Sequence, residues 1–166
     1  MITPAFVRTM AAYNAEMNRR LYAAAGRLDE TARSADRGAF WGSIHGTLAH
    51  LLWGDSQWMH RFAGWPAPAV GMADSPVWQP DFTAMRKTRE TLDADIIGWA
   101  EGLDQAWLDS DLVWFSGALG REMRKQRGLL VTHMFNHQTH HRGQAHALIT
   151  AAGEQTGDTD LFIVVP

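Results

Sequence analysis

The chain has no cysteine among its 166 residues. That excludes disulfides, cysteine-ligated zinc and iron–sulfur sites, and any cysteine nucleophile. It leaves the redox compartment open, since a chain without thiols tolerates either state. Positive charge is not in excess: 15 basic and 18 acidic residues give a formal net charge of −3. No global basic field therefore argues for nucleic acid as a partner. Apolar runs are short, and none approaches the roughly 18 residues that a membrane helix requires. The opening Met1-Ile2-Thr3-Pro4 lacks a basic stretch followed by an apolar one, so it does not read as a secretory signal. The expectation is a cytoplasmic protein with neither nucleic acid nor membrane as partner. Internal repeats, a Walker loop, a dinucleotide fingerprint and a Ser-His-Asp order are all missing.

What is present reads as one folded domain spanning 1–166. Hydrophobic residues make up 46% and charged residues 20%, which excludes disorder. A chain of about 150 residues buries roughly 70% of its unfolded surface, enough for a core without staples. Two counts are high for this length: eight histidines and eight tryptophans.

Punctuation divides the chain into four helical stretches. Thr3-Pro4 is a good N-cap followed by proline at the first helical position, and Gly26 is the stop. The second helix is expected from about Gly38 to Phe62, ended by Gly64-Trp65-Pro66. Pro66, Pro68, Pro76 and Pro80 then forbid a regular helix. Asp81 caps a third helix that closes near Gly102. The run Leu112-Val113-Trp114-Phe115 has strand-like composition, so a loop or short hairpin is expected over Leu112–Leu119. The fourth helix is expected from about Arg124 to Ala152, with Gly153 beyond it. The apolar tail from Asp160 to Pro166 is expected to dock. Four long amphipathic helices read as an all-α four-helix bundle, whose functional side chains face one another inside.

Five histidines crowd the last helix: His133, His137, His140, His141 and His146. Residues four apart lie about 40° apart on a helix, so neighbours in the stripe His133, His137 and His141 can share a metal. The apolar set Leu130, Met134, Ala145, Leu148 and Ala152 has His137 and His141 at steps where leucine or isoleucine would be expected. These two point most nearly into the bundle. His133 and His140 fall nearer its edge, as rim or ligand-orienting groups, and His146 lies on the opposite side. Helix two offers His45, His50 and His60. A strip of small or polar residues, Ser43, Thr47, His50, Gly54 and Gln57, has His50 at its middle. His45 and His60 project elsewhere. Asp55, next to Gly54, offers a base beside such a site.

Two histidines from one helix and one from another make a three-nitrogen site with an open position, the pattern of catalytic rather than structural metal centres. Zinc or nickel suits imidazole, and ligand type alone leaves iron, cobalt and copper open. Trp41, Trp53 and Trp58 read as core residues or as walls of a pocket beside the metal. Arg121, Arg124, Lys125 and Arg127 read as a solvated patch or as a dock for a carboxylate-bearing cofactor.

The segment His133-Met134-Phe135-Asn136-His137-Gln138-Thr139-His140-His141-Arg142-Gly143-Gln144 closely resembles the signature helix of the DinB (DinB/YfiT-like) family. Arg37 to Leu52 resembles that family's second helix, and Tyr13-Asn14 with Asn18-Arg19-Arg20-Leu21 resembles its first. The resemblance implies an up-down-down-up four-helix bundle, and it decides for His50 over His45. The implied metal ligands are His50, His137 and His141. It also implies a homodimer acting on a small molecule, as a transferase, isomerase or hydrolase. Some relatives of this kind use a low-molecular-weight thiol, mycothiol or bacillithiol, as co-substrate. The alternative is a non-catalytic, metal-stabilised binding or stress-response module.

Overall fold

Thr3 opens the first helix, its hydroxyl accepting from the Phe6 N–H at 3.2 Å, and Pro4 occupies the first turn of α1 (Pro4–Ala25). The computed structural model describes residues 1–117 and 119–165. A one-turn helix α2 (Glu30–Ser34) follows, capped by Asp29.

The second long helix starts later than its periodicity suggests. Gly38 and Gly42 adopt φ of +68° and +73°, which interrupt helical geometry. Ser43 then supplies the cap, accepting from the Gly46 N–H at 2.9 Å, and α3 runs Ile44–Ala63. Residues 38–43 form a turn instead, which leaves Trp41 outside the helix. Gly64 closes α3 in the left-handed region at φ +71°. The proline-rich connection forms no α-helix but holds a short 3-10 helix over Met72–Val77, with Pro76 inside it. Asp81 caps α4 (Phe82–Glu101) through the Ala84 N–H at 2.6 Å, and Gly102 follows, both as expected.

After a short α5 (Gln105–Asp109), the expected hairpin is present but longer. Strand β1 (Asp111–Ser116) pairs antiparallel with β2 (Arg121–Gln126), with Leu112 opposite Lys125 and Ser116 opposite Arg121. Within the expected span Leu112–Leu119, Ala118 lies outside the described residues. Strand pairing takes residues that propensity alone gives to the last helix, so α6 runs Arg127–Ala151 rather than from Arg124. The protein is thus mostly helical with one small two-stranded sheet.

In each long helix the buried residues fall into two apolar groups with polar ones between them. One group is Val7 and Ala11 on α1, Met59 and Phe62 on α3, Ile96 and Ala100 on α4, and Leu130 to Phe135 on α6. The other is Leu21 and Tyr22, Ile44 to Leu52, Met85, and Ala145 with Ile149. Along the chain, α1 and α6 run from the first group to the second. The helices α3 and α4 run the other way, parallel to each other. Between the groups lie Asn14, Asn18, Asp55, Arg89, Asp93, Gln138 and Arg142, all buried. Arg89 anchors this layer, with its guanidinium 2.6 Å from Asp55 Oδ2 and 2.7 Å from Asp93 Oδ1. Asn18 donates to Asp93 at 3.0 Å, tying α1 to α4.

The tail docks only in part: α7 (Leu161–Val164) lies against α1 with Val164 and the following Val165 half-buried, while its first three residues are exposed. Phe162, at 83% exposure, and Ile163 and Leu161 all face solvent. The stretch before it is anchored by hydrogen bonds: the Tyr13 hydroxyl donates to the Thr159 carbonyl at 2.6 Å, and Arg20 donates to that of Asp158 at 2.9 Å. These polar anchors end before the apolar residues begin. Pro166 lies outside the described residues. No helix among the described residues is long and apolar enough to cross a membrane.

Replacing Arg89 by alanine leaves two buried carboxylates without their cation. The expected cost is about 3–5 kcal/mol, measured by urea unfolding at neutral pH.

Candidate metal centre

His50 is presented by α3, one turn before Gly54, and His137 and His141 by consecutive turns of α6. One nitrogen from each ring lies within 4.8 Å of the others. His50 Nε2 and His137 Nε2 are 3.3 Å apart. Ring centroids lie 4.4 Å apart for His137 and His141 and 4.7 Å for His50 and His141. His50 and His141 are buried and His137 is partly so.

Two of the three rings have their tautomer set by a partner. The Ser75 hydroxyl donates to the Met72 carbonyl at 2.7 Å, which leaves its oxygen to accept. It does so from His50 Nδ1 at 2.8 Å, so the His50 proton sits on Nδ1 and Nε2 keeps its lone pair. His141 Nδ1 is 2.7 Å from Gln144 Oε1, an acceptor, with the same result. Buried His137 Nδ1 has no partner among the described residues. Room for its ring comes from Gly54, where a Cβ would stand 2.7 Å from His137 Cε1.

The protons are disfavoured here. Burial pushes the His50 and His137 pKa values down to about 3 each, and His141 and the other neighbouring imidazoles add to the effect. Burial also lowers His141. Three neutral imidazoles, each with one nitrogen turned towards the others, form a donor set for a divalent cation. The residues present therefore fit a metal ion.

The site opens into a cavity of about 1040 Å³. Trp41, Trp53 and Trp58 all line it, as do Trp114 and Phe115 of the hairpin. Trp41 stacks on His50 with centroids 3.8 Å apart. His133 and His140 lie on the wall, both exposed. His133 is 6.2 Å from His137, ring to ring, and His140 is 4.9 Å from His141.

Asp55 does not stand beside the site as a base or on its rim. It is fully buried, held by Arg89, and does not line the cavity. The basic run also lies elsewhere: Arg121, Arg124 and Lys125 are exposed on β2, and Arg127 binds the Ser110 hydroxyl. The remaining histidines have local partners, His45 with the Gln79 carbonyl, His60 with that of Trp65, and His146 with Thr156. His146 is thus half-buried rather than free on the surface. Sequence reasoning missed Ser75, Gln144 and the cavity residue Arg61. Two of them had a spacing signal: Gln144 stands three residues after His141 on the same helix, and Arg61 is the next step after Gln57 in the strip that holds His50.

Two outcomes follow for the metal-free protein. Gly54→Ala forces the His137 ring to move and should lower unfolding stability by about 1–3 kcal/mol. In acid, the unfolded chain takes up protons near pH 6.5 whereas the folded rings resist until about 3. The stability these rings confer is intact above pH 6.5 and is lost as pH falls from there towards 3. Thermal melts across that window should show the decline, and a shallower one in His137→Gln.

The match to the model of the DinB family covers residues 1–164. The comparison with curated proteins finds no match. A family match over nearly the whole length accords with the paired histidines of α6 facing the single histidine of α3, and the chain belongs to the DinB family.

Proposed function

We propose that this protein is a metal-dependent enzyme that holds one divalent ion, zinc or nickel, on His50, His137 and His141. The carrying observation is that three imidazole nitrogens lie within 4.8 Å, two of them in rings whose Nδ1 proton is already engaged. A bound metal supplies Lewis-acid chemistry with an open position for substrate. The chain's own residues do the rest. Ser75 and Gln144 orient their ligand rings, Gly54 makes room for the third, and the tryptophan walls exclude water from an apolar substrate.

The reaction class we infer is transfer, isomerisation or hydrolysis on a small molecule, with a low-molecular-weight thiol as co-substrate. A cysteine-free chain supplies no thiol of its own, and the cavity is large enough for two small molecules. The cytoplasm is the proposed compartment, because small thiols are kept reduced there. We read 1–166 as one domain with the up-down-down-up four-helix bundle of the family, supported by the opposed directions of α1 and α6 against α3 and α4. The proposed assembly is a homodimer, and the exposed apolar tail Leu161 to Ile163 favours it.

Metal analysis of the purified protein tests the centre. About one equivalent of zinc or nickel per chain is expected, lost in His50→Ala, His137→Ala and His141→Ala and kept in His45→Ala. Ser75→Ala should weaken metal affinity by about 10–100-fold. Full stoichiometry in the His137→Ala and His141→Ala variants overturns the assignment. Chelation separates an enzyme from a metal-stabilised binding module: a retained fold with lost turnover on thiol and electrophile pairs marks the enzyme.

A further inference from the structure

The cavity's charge is unbalanced. Among its described lining residues Arg61 is the one with a permanent charge, and no carboxylate lines it. Arg61 sits in the last turn of α3, half-buried, with its guanidinium 4.6 Å from the Trp58 ring centroid and 6.0 Å from that of Trp114. Among the described residues it makes no hydrogen bond or ion pair, whereas Arg89, Arg27 and Arg127 all have oxygen partners. Stacking on indole holds a guanidinium in place but leaves its five donors free for a planar acceptor. No carboxylate among the described residues lies beside it on the cavity wall to favour its cation, and burial alone pushes the Arg61 pKa down.

Its position relative to the histidines gives the vacancy a direction. The Trp58 ring lies 5.2 Å from His133, and His133 lies 6.2 Å from His137. Arg61, Trp58, His133 and His137 thus form a continuous wall from the free cation to the candidate metal centre. Elsewhere the lining combines the flat rings of Phe40, Trp41, Trp53 and Phe115 with small and neutral polar residues.

We propose that Arg61, stacked on Trp58 with Trp114 beside it, is the subsite for the carboxylate of a planar, apolar small molecule whose other end faces His50, His137 and His141. The orientation rests on the metal-centre reading; the carboxylate recognition does not. A bidentate guanidinium–carboxylate pair fixes one end of the ligand, and indole faces hold its flat body. The carboxylate can belong to the electrophilic substrate or to the thiol.

Tryptophan fluorescence titration of the metal-free full-length protein tests the subsite, using 2-naphthoate against its neutral amide. The acid should bind at least about tenfold more tightly, the expectation for a charge-assisted pair. Rising salt should narrow the gap. Arg61→Gln should erase the preference while leaving amide affinity within about twofold, and Arg61→Lys should restore part of it. Circular dichroism and thermal melts check that both variants fold. Equal affinity for acid and amide in the wild type, or a preference that survives Arg61→Gln, overturns the proposal. A second arm titrates the metal-loaded protein with N-acetylcysteine and its amide. An Arg61-dependent preference there assigns the carboxylate to the thiol, and a preference confined to the naphthoate pair assigns it to the substrate. Because the first arm needs no metal, failed metal binding with an intact acid preference would sink the metal-centre reading alone.

Discussion

A guanidinium that is 1% exposed cannot exist in a helical core without anions around it. Arg89 has two, Asp55 from α3 and Asp93 from its own helix, and Asn18 of α1 holds the second in turn. This contact restricts the helices more than the apolar clusters on either side of it. Leucine and methionine tolerate sliding and repacking, but an ion pair at 2.6 Å does not. The polar layer therefore sets the height and rotation of α3 against α4 and of α4 against α1.

The candidate metal centre inherits that restriction through the chain. Gly54 precedes Asp55, Gln138 follows His137, and Arg142 follows His141. Gly54, His137 and His141 are thus each bonded directly to a residue of the buried layer, and His50 lies one turn before Gly54 on the same helix. Rotating α3 enough to misplace Gly54 would drag Asp55 off Arg89. Rotating α6 would expose Gln138 and Arg142, whose side chains hydrogen-bond each other in the interior. The layer holds the imidazoles at close range without contributing a ligand. That arrangement keeps three neutral rings together without an ion-pair partner among the described residues.

Local signals were legible in the sequence, and long-range ones were not. Thr3-Pro4, Asp81 and Gly64 mark helix ends because capping depends on neighbouring residues alone. The spacing of His137 and His141 is likewise a property of one helix, and it located the centre before any tertiary contact was known. For His50 the small-residue strip was only suggestive, and family resemblance made the choice over His45. The start of α6 was misread because β2 exists only through its partner strand, and no window around Arg124 contains that partner. Arg89 was invisible for a similar reason, and Arg61, although it continues the strip of His50 and Gln57, carried no sign of its role. An arginine on an amphipathic helix looks solvated until its facing residues are known. Ser75 was hidden in a proline-rich stretch whose reading was purely negative, as a place where no regular helix forms.

That stretch has a role beyond connection. Because α3 and α4 run parallel, the chain must return the full length of a helix between them, and residues 64–81 make the return. On the way they place the 3-10 turn whose Ser75 hydroxyl grips His50, and Gly71 and Met72 on the cavity wall. A connection is usually where a protein family varies in length most freely. Here one inserted residue would shift the hydroxyl along the groove and free the imidazole it holds, so this crossover has the length tolerance of a core element rather than of a loop.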